Sequence, residues 1–324
     1  MTGTGLRTHG RPSPALIWTA MWAVYIIWGT TYLGIRVANE TLPPLIAAGL
    51  RFVIAGGVLY AITVRRGDVA GDRPGPAQWK AAAIVGIALV AGGNGLVVLA
   101  ERTIPSGIAS LIIALVPLWM ATVDRVLLRH RVGWVTTFGL ILGFGGAALL
   151  IGGTAFDEGA PLSGMLVCVI ATLSWTSGSL YSRNAPLPHR PLVGAGMEML
   201  IGGAVLVVAG AIRGEIPLIR VEDFSTASLL AFGYLIAFGS WVGFTSYVWL
   251  LRNARTSLVS TYAYVNPVVA VLLGWLILDE TVTVRTVVAG AIIVVAVAII
   301  ISTGGTARRE EPVPVEAERA GAAA

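Results

Sequence analysis

Residues 28–56 read WGTTYLGIRVANETLPPLIAAGLRFVIAG, and 147 positions later residues 175–203 read WTSGSLYSRNAPLPHRPLVGAGMEMLIGG. Laid over one another without a gap, Trp28 falls on Trp175, Arg36 on Arg183, Pro44 on Pro191, Ala48-Gly49 on Ala195-Gly196 and Gly56 on Gly203. At an offset of 150 the register resumes further on, with Arg102 on Arg252, Ser110 on Ser260 and Pro117 on Pro267. Self-similarity at a nearly fixed offset is the mark of a duplicated unit, so the chain reads as two copies of one helical module.

Both copies are made of long apolar runs. The first holds Leu16–Ile35, Pro44–Val64, Trp79–Ala100, Pro105–Leu127 and Trp134–Gly152; the second holds Pro161–Ser182, Pro191–Arg213, Ala227–Leu251, Ser257–Leu278 and Val284–Ser302. A helix crosses a bilayer with about 20 apolar residues, so ten spans account for roughly 200 positions. Backbone groups in lipid must be satisfied within their own segment, which makes every run helical. Proline opens four of the runs (Pro44, Pro105, Pro161, Pro191), where a helix tolerates the missing donor.

Composition agrees. The 324 residues are 56% hydrophobic and only 12% charged, against about 25% charged in soluble chains, and the mean hydropathy is +0.82. A large soluble domain is excluded, and so is a nucleic-acid binder, although the net charge is +5. One cysteine, Cys168, rules out an internal disulfide framework or a thiolate metal cluster. The first run is too long for a signal core and no small-residue cleavage site follows it, so it reads as a retained span.

The basic residues give an orientation. With the N-terminus inside, Arg7, Arg11, Arg65, Arg66, Arg73, Lys80, Arg125, Arg129, Arg131, Arg183, Arg190, Arg252, Arg255, Arg308, Arg309 and Arg319 lie on the cytoplasmic side. Arg36, Arg102, Arg213, Arg220 and Arg285 lie outside. This is a strong positive-inside asymmetry. It places residues 1–15 as a cytoplasmic N-terminal tail and residues 303–324, whose apolar content is too low to fold, as a disordered cytoplasmic C-terminal tail. Units of five spans each, 16–152 and 161–302, must then sit in opposite orientations, the inverted-repeat pattern of secondary transporters with a substrate site near the midplane.

The segment from Tyr25 to Ala38, the Leu42-Pro-Pro and Gly49-Leu-Arg-Phe-Val-Ile-Ala-Gly stretches, Glu101-Arg-Thr-Ile-Pro-Ser-Gly, Thr261-Tyr-Ala-Tyr-Val-Asn-Pro and Leu278-Asp-Glu-Thr together resemble the EamA family of the drug/metabolite transporter superfamily. The resemblance covers about residues 16–302. It implies an all-α integral membrane protein of ten transmembrane helices in two inverted five-helix EamA repeats. It also implies export of amino acids, metabolites or small toxic compounds. One departure is that the fourth span ends Asp124-Arg125-Val-Leu-Leu-Arg129, without the acidic pair Asp279-Glu280 of the ninth.

Charges inside a membrane cost about 2.5–3.5 kcal/mol each on insertion scales, so those within spans need a reason. Arg51 and its repeat-mate Glu198 each lie seven residues in from a helix start, about 10 Å deep at 1.5 Å per residue. Inversion puts them at opposite depths about 10 Å apart in a core of about 30 Å, too far for a close ion pair. Arg51 reads as a snorkelling charge that seals the outer end or as a gating residue. Glu198 reads as a bond to a neighbouring helix or as a carboxylate that couples transport to protons. Polar and aromatic residues supply a cavity lining: Trp28 and Tyr32 on one face, Asn94 within Ala91-Gly-Gly-Asn-Gly where the helix can break, the duplicated Trp175, Trp241, and Tyr262 with Asn266 one turn apart. Such a lining is typical of small-molecule sites, and each of these residues also has a packing or interfacial reading. The motif Gly139-Leu-Ile-Leu-Gly143 reads as a packing seam that serves a helix pair or a pair of protomers, so both a monomer and a homodimer are compatible with it.

The leading function is therefore a secondary transporter of the plasma membrane with a small-molecule substrate, the lipid bilayer as its surroundings and no cofactor or metal. A Walker phosphate loop is absent from the sequence. A multidrug or toxic-compound exporter is the alternative within that class. A membrane-embedded enzyme would need clustered acids, histidines or a nucleophile–base pair, and His9, His130 and His189 all fall in a tail or loops. A scaffold has only short tails to present.

Overall fold

The computed structural model describes residues 12–65, 74–104, 109, 112–126, 133–151, 161–278 and 283–302. Ten main helices make up the described chain: α1 (Pro14–Ala38), α2 (Pro44–Arg65), α3 (Pro76–Ala100), α4 (Val116–Val126), α5 (Trp134–Ile151), α6 (Leu162–Asn184), α7 (Pro191–Ile212), α8 (Thr226–Asn253), α9 (Tyr262–Leu278) and α10 (Val284–Ser302). Seven of them (α1, α2, α3, α6, α7, α8 and α10) are long and apolar enough to cross a membrane. The described parts of α4, α5 and α9 are shorter. Most of the first residues of the expected fourth span, the acidic pair Asp279-Glu280, residues 1–11 of the expected N-terminal tail and the whole C-terminal tail lie outside the described residues, and α1 begins at Pro14, inside the expected tail.

Local chemistry sets the helix ends. Ser13 caps α1 by accepting from the Leu16 amide, and proline occupies the first turn of α1, α3 and α7, where its missing donor is one of the unpaired ones anyway. Leu16, Trp22, Ile26 and Leu33 are exposed along α1, as are Ile141 on α5 and Val294 and Val295 on α10. An apolar exterior of this extent would aggregate in water and is at home in lipid.

Two helix pairs dominate the packing, and each joins equivalents from the two halves. A methyl placed on Gly49 of α2 would stand 2.7 Å from the Gly203 carbonyl oxygen on α7, and one placed on Gly56 would stand 2.7 Å from that of Gly196. The contact numbers rise on one helix as they fall on the other, so the helices cross antiparallel. The pairing is also reciprocal, because Gly196 is the mate of Gly49 and Gly203 the mate of Gly56. On α5 and α10, Gly139 meets Ile300 and Ala296 while Gly146 meets Ile293 and Ile292, again antiparallel. Gly143 receives the ring of Tyr264 from α9, so the Gly139–Gly143 seam is occupied within one chain.

The third helix of each half departs from α geometry at the same place. Ile87–Gly95 in α3 and Leu235–Phe244 in α8 are π-helical. The glycines expected to loosen α3 do so without ending the helix.

Candidate functional site

Between α1, α2, α3, α4, α6, α8 and α9 lies a cavity of about 770 Å³, its open mouth included. On α1 and α3 its lining runs from Trp28 to Ile35 and from Gly93 to Glu101, so it extends from mid-bundle to the end where α1 and α3 finish. Trp28, Asn94, Trp175, Tyr262, Asn266 and Arg51, all expected from sequence to serve transport, meet in its wall.

Its floor is aromatic. Trp28 packs 5.5 Å from Trp175, 5.0 Å from Tyr247 and 5.0 Å from Tyr262 between ring centroids. Trp175 Nε1 donates to Tyr247 Oη at 2.8 Å, and Ser179 Oγ shares a hydrogen bond with the same oxygen at 2.7 Å. The two tryptophans are seated by exchange between halves. A methyl on Gly93 would stand 2.6 Å from the Trp175 ring, and one on Gly243, the mate of Gly93 at the offset of 150, would stand 2.5 Å from Trp28 Nε1. Glycine at both positions is what leaves room for the two rings to meet.

The polar wall groups are held in place. Asn94 donates to the Leu89 carbonyl at 3.2 Å, five residues back in the π-helical stretch. Asn266, with its amide nitrogen turned inward, donates to the carbonyls of Tyr262 (3.0 Å) and Tyr25 (3.2 Å). Arg51 Nε donates to Ser240 Oγ at 2.9 Å, and the guanidinium lies over the Phe52 ring, 4.6 Å from its centre.

Two sequence expectations fall outside the wall. Trp241 is not in the wall: it is 37% exposed and its Nε1 donates to the Ala55 carbonyl of α2 at 2.9 Å. It lies within the π segment Leu235–Phe244, whose wider turn shifts side chains from the faces a regular α-helix would give them. Glu198 is fully buried, is not in the wall of this cavity, and has no hydrogen-bond partner for either carboxylate oxygen among the described residues. Its electrostatic neighbour is Arg252 rather than Arg51, and Glu198 Oε1 and Arg252 Nη2 both lie within 4 Å of the point where a methyl on Gly194 would sit. The side chain of Tyr32 lies outside the described residues.

At the end of the bundle away from Ile35 and Glu101, arginines bond backbone carbonyls. Arg183 reaches Ala254 (3.1 Å), Arg190 reaches Thr63 (2.6 Å) and Arg252 reaches Pro188 (2.9 Å). At the mouth end, the buried Glu215 carboxylate accepts from the Leu45 and Ile46 amides, 2.9 and 3.0 Å away, an anion at the positive end of α2.

A model of the EamA-like transporter family matches residues 16–152 and again residues 162–302. The chain belongs to the EamA-like transporter family. It is a membrane transporter, not an enzyme. YedA, an uncharacterized inner membrane transporter of Escherichia coli (strain K12), is 41% identical over 258 residues, which cover 79% of this chain and 80% of that one. YoaV, an uncharacterized transporter of Bacillus subtilis (strain 168), is 25% identical over 277 residues, covering 84% and 91%. A solved crystal structure shares the EamA fold with a TM-score of 0.73 at 21% identity, spanning 92% of this chain and all of that one.

Sequence reading missed Glu101, Thr31 and Phe244 in the wall and Tyr247, buried behind the floor against Trp28 and Trp175. A tyrosine within a span gives no sign of direction. Glu101 next to Arg102 at a helix end looks like an ordinary interfacial charge.

Proposed function

We propose that this EamA transporter is a secondary active exporter of small metabolites such as amino acids or related compounds, working by alternating access across the plasma membrane. The observation that carries the reading is a cavity that runs from mid-bundle to one end, with Arg183, Arg190 and Arg252 bonded to backbone carbonyls at the other, where we read a seal. The reciprocal Gly49–Gly203 and Gly56–Gly196 contacts support two inverted five-helix repeats, 16–152 and 161–302, whose rocking would exchange the open and sealed ends. By the distribution of arginines the sealed end and both tails are cytoplasmic, and the state described faces outward. Trp28, Trp175, Tyr262, Asn94 and Asn266 form the substrate wall, with Arg51 beside them. Glu198 and Arg252 belong to the sealed gate, where a proton on Glu198 would change the attraction that holds it shut. The aromatic floor also favours the multidrug reading, because flat apolar rings accept many shapes.

The test is growth rescue. Expression of the full chain in a host challenged with toxic amino-acid analogues, amines and planar dyes should raise tolerance to one class, and Trp28→Ala should abolish the gain. Equal tolerance with and without the protein across all classes refutes export. Rescue by dyes alone selects the multidrug reading.

A further inference from the structure

The following rests on the transport reading of the cavity. Among the described residues in the wall, two carry charge, and they are held differently. Arg51 is engaged with Ser240 and Phe52, which keeps its charge against α8 and α2. Glu101, the first residue past α3, is half-buried in the wall and has no hydrogen-bond or ion-pair partner among the described residues. Among the described residues, no group around it neutralises it. Cys168 on α6 lies within reach of its charge, Arg102 beside it in the chain is exposed, and Arg51 shares the cavity from α2. At the offset of 150 its mate is Leu251, fully buried, so this acid belongs to one half only and duplication does not account for it.

A carboxylate that is taken partly out of water and left unpaired is costly unless something positive comes to it. The rest of the wall suits the same visitor, since tryptophan and tyrosine faces attract cations. We propose that Glu101 is a specificity-determining residue that receives the ammonium group of the substrate, whose apolar or aromatic body rests on Trp28, Trp175 and Tyr262. The substrate class is then a protonated amine, alone or as the amino end of a larger metabolite. Burial pushes the Glu101 carboxyl up to about 7, so it loses its charge as the pH falls through that value, and affinity for a cation falls with it. Above that value the carboxylate is charged and binding is strongest.

Binding of three probes of one shape to the detergent-purified full chain decides the matter: 2-phenylethylammonium, 2-phenylethanol and phenylacetate, each titrated at about pH 8 and about pH 5.5, on either side of the Glu101 midpoint. The ammonium probe stays charged throughout. It should bind most tightly at the higher pH and about tenfold more weakly at the lower. Glu101→Gln should cost it about tenfold and flatten the pH profile, leave the alcohol unchanged, and be partly rescued by Glu101→Asp. An unchanged ammonium affinity and profile in Glu101→Gln, or tighter binding of phenylacetate, overturns the proposal. If Trp28→Ala weakens all three probes while Glu101→Gln weakens none, the proposal falls and the cavity reading stands. If neither substitution matters, or no probe binds, both fall.

Discussion

Arg51 and Glu198 occupy the same position in two copies of one module, and the protein treats them in opposite ways. Arg51 stands in the cavity wall with a hydroxyl and a ring for company. Glu198 is buried inside the bundle with no hydrogen bond among the described residues, and Arg252 is the charge it feels. Duplication preserved the backbone frame, including antiparallel glycine seams and paired π segments, while the side chains at equivalent sites took different tasks. Symmetry in this molecule belongs to the helices. The chemistry is asymmetric.

That contrast can be broken by substitution. The largest effect is expected at Arg252→Ala, which leaves Glu198 buried with no facing cation. The cost is about 2–3 kcal/mol, below that of a fully dry pair because Arg252 is only partly buried. It should appear as a fall in the melting temperature of the purified chain and shrink when made in a Glu198→Gln background. Arg51→Gln should cost about 1 kcal/mol, since a polar group can still reach Ser240. Equal losses at the two sites would mean that the two charges are equivalent after all.

The shared frame gives the next effect. Gly56→Ala pushes a methyl to 2.7 Å from the Gly196 carbonyl, a backbone atom that cannot turn aside, whereas at the neighbouring Gly57 the nearest atom is a Leu200 side-chain carbon at 3.6 Å. The first change should destabilise by about 1–3 kcal/mol. Gly57→Ala should be neutral or stabilising by up to about 1 kcal/mol, through helix propensity. Thermal melts of both variants check the pair.

The smallest effect is expected at Trp241→Phe. It removes one hydrogen bond to the Ala55 carbonyl, about 1 kcal/mol or less, and should leave the range of compounds tolerated in the rescue assay unchanged. A shifted range would return Trp241 to the substrate path.

The same particulars show how far the sequence could be read. The alignment of Trp28 with Trp175 and of Gly49 and Gly56 with Gly196 and Gly203 exposed the duplication, and Trp28, Trp175, Asn94, Tyr262 and Asn266 were all recognisable as cavity candidates. Trp241 lies outside the wall because it sits inside a π segment, whose departure from 3.6 residues per turn nothing in the sequence announces. The separation of Glu198 from Arg51 was legible, because depth along a helix follows from numbering, but its facing Arg252 was not, because rotation about the helix axis does not. Glu101 was passed over because acids at helix ends are usually solvated.

The sequence by itself determined that the chain is helical, duplicated and at home in lipid, because these follow from local properties: apolar length, the need of every peptide group for a partner, and a repeated register. Only the tertiary structure decided which polar groups share a space. Neighbours in a bundle are set by how each helix is rotated and how closely it can approach, and that depends on glycine seats and π turns acting across segments far apart in the chain.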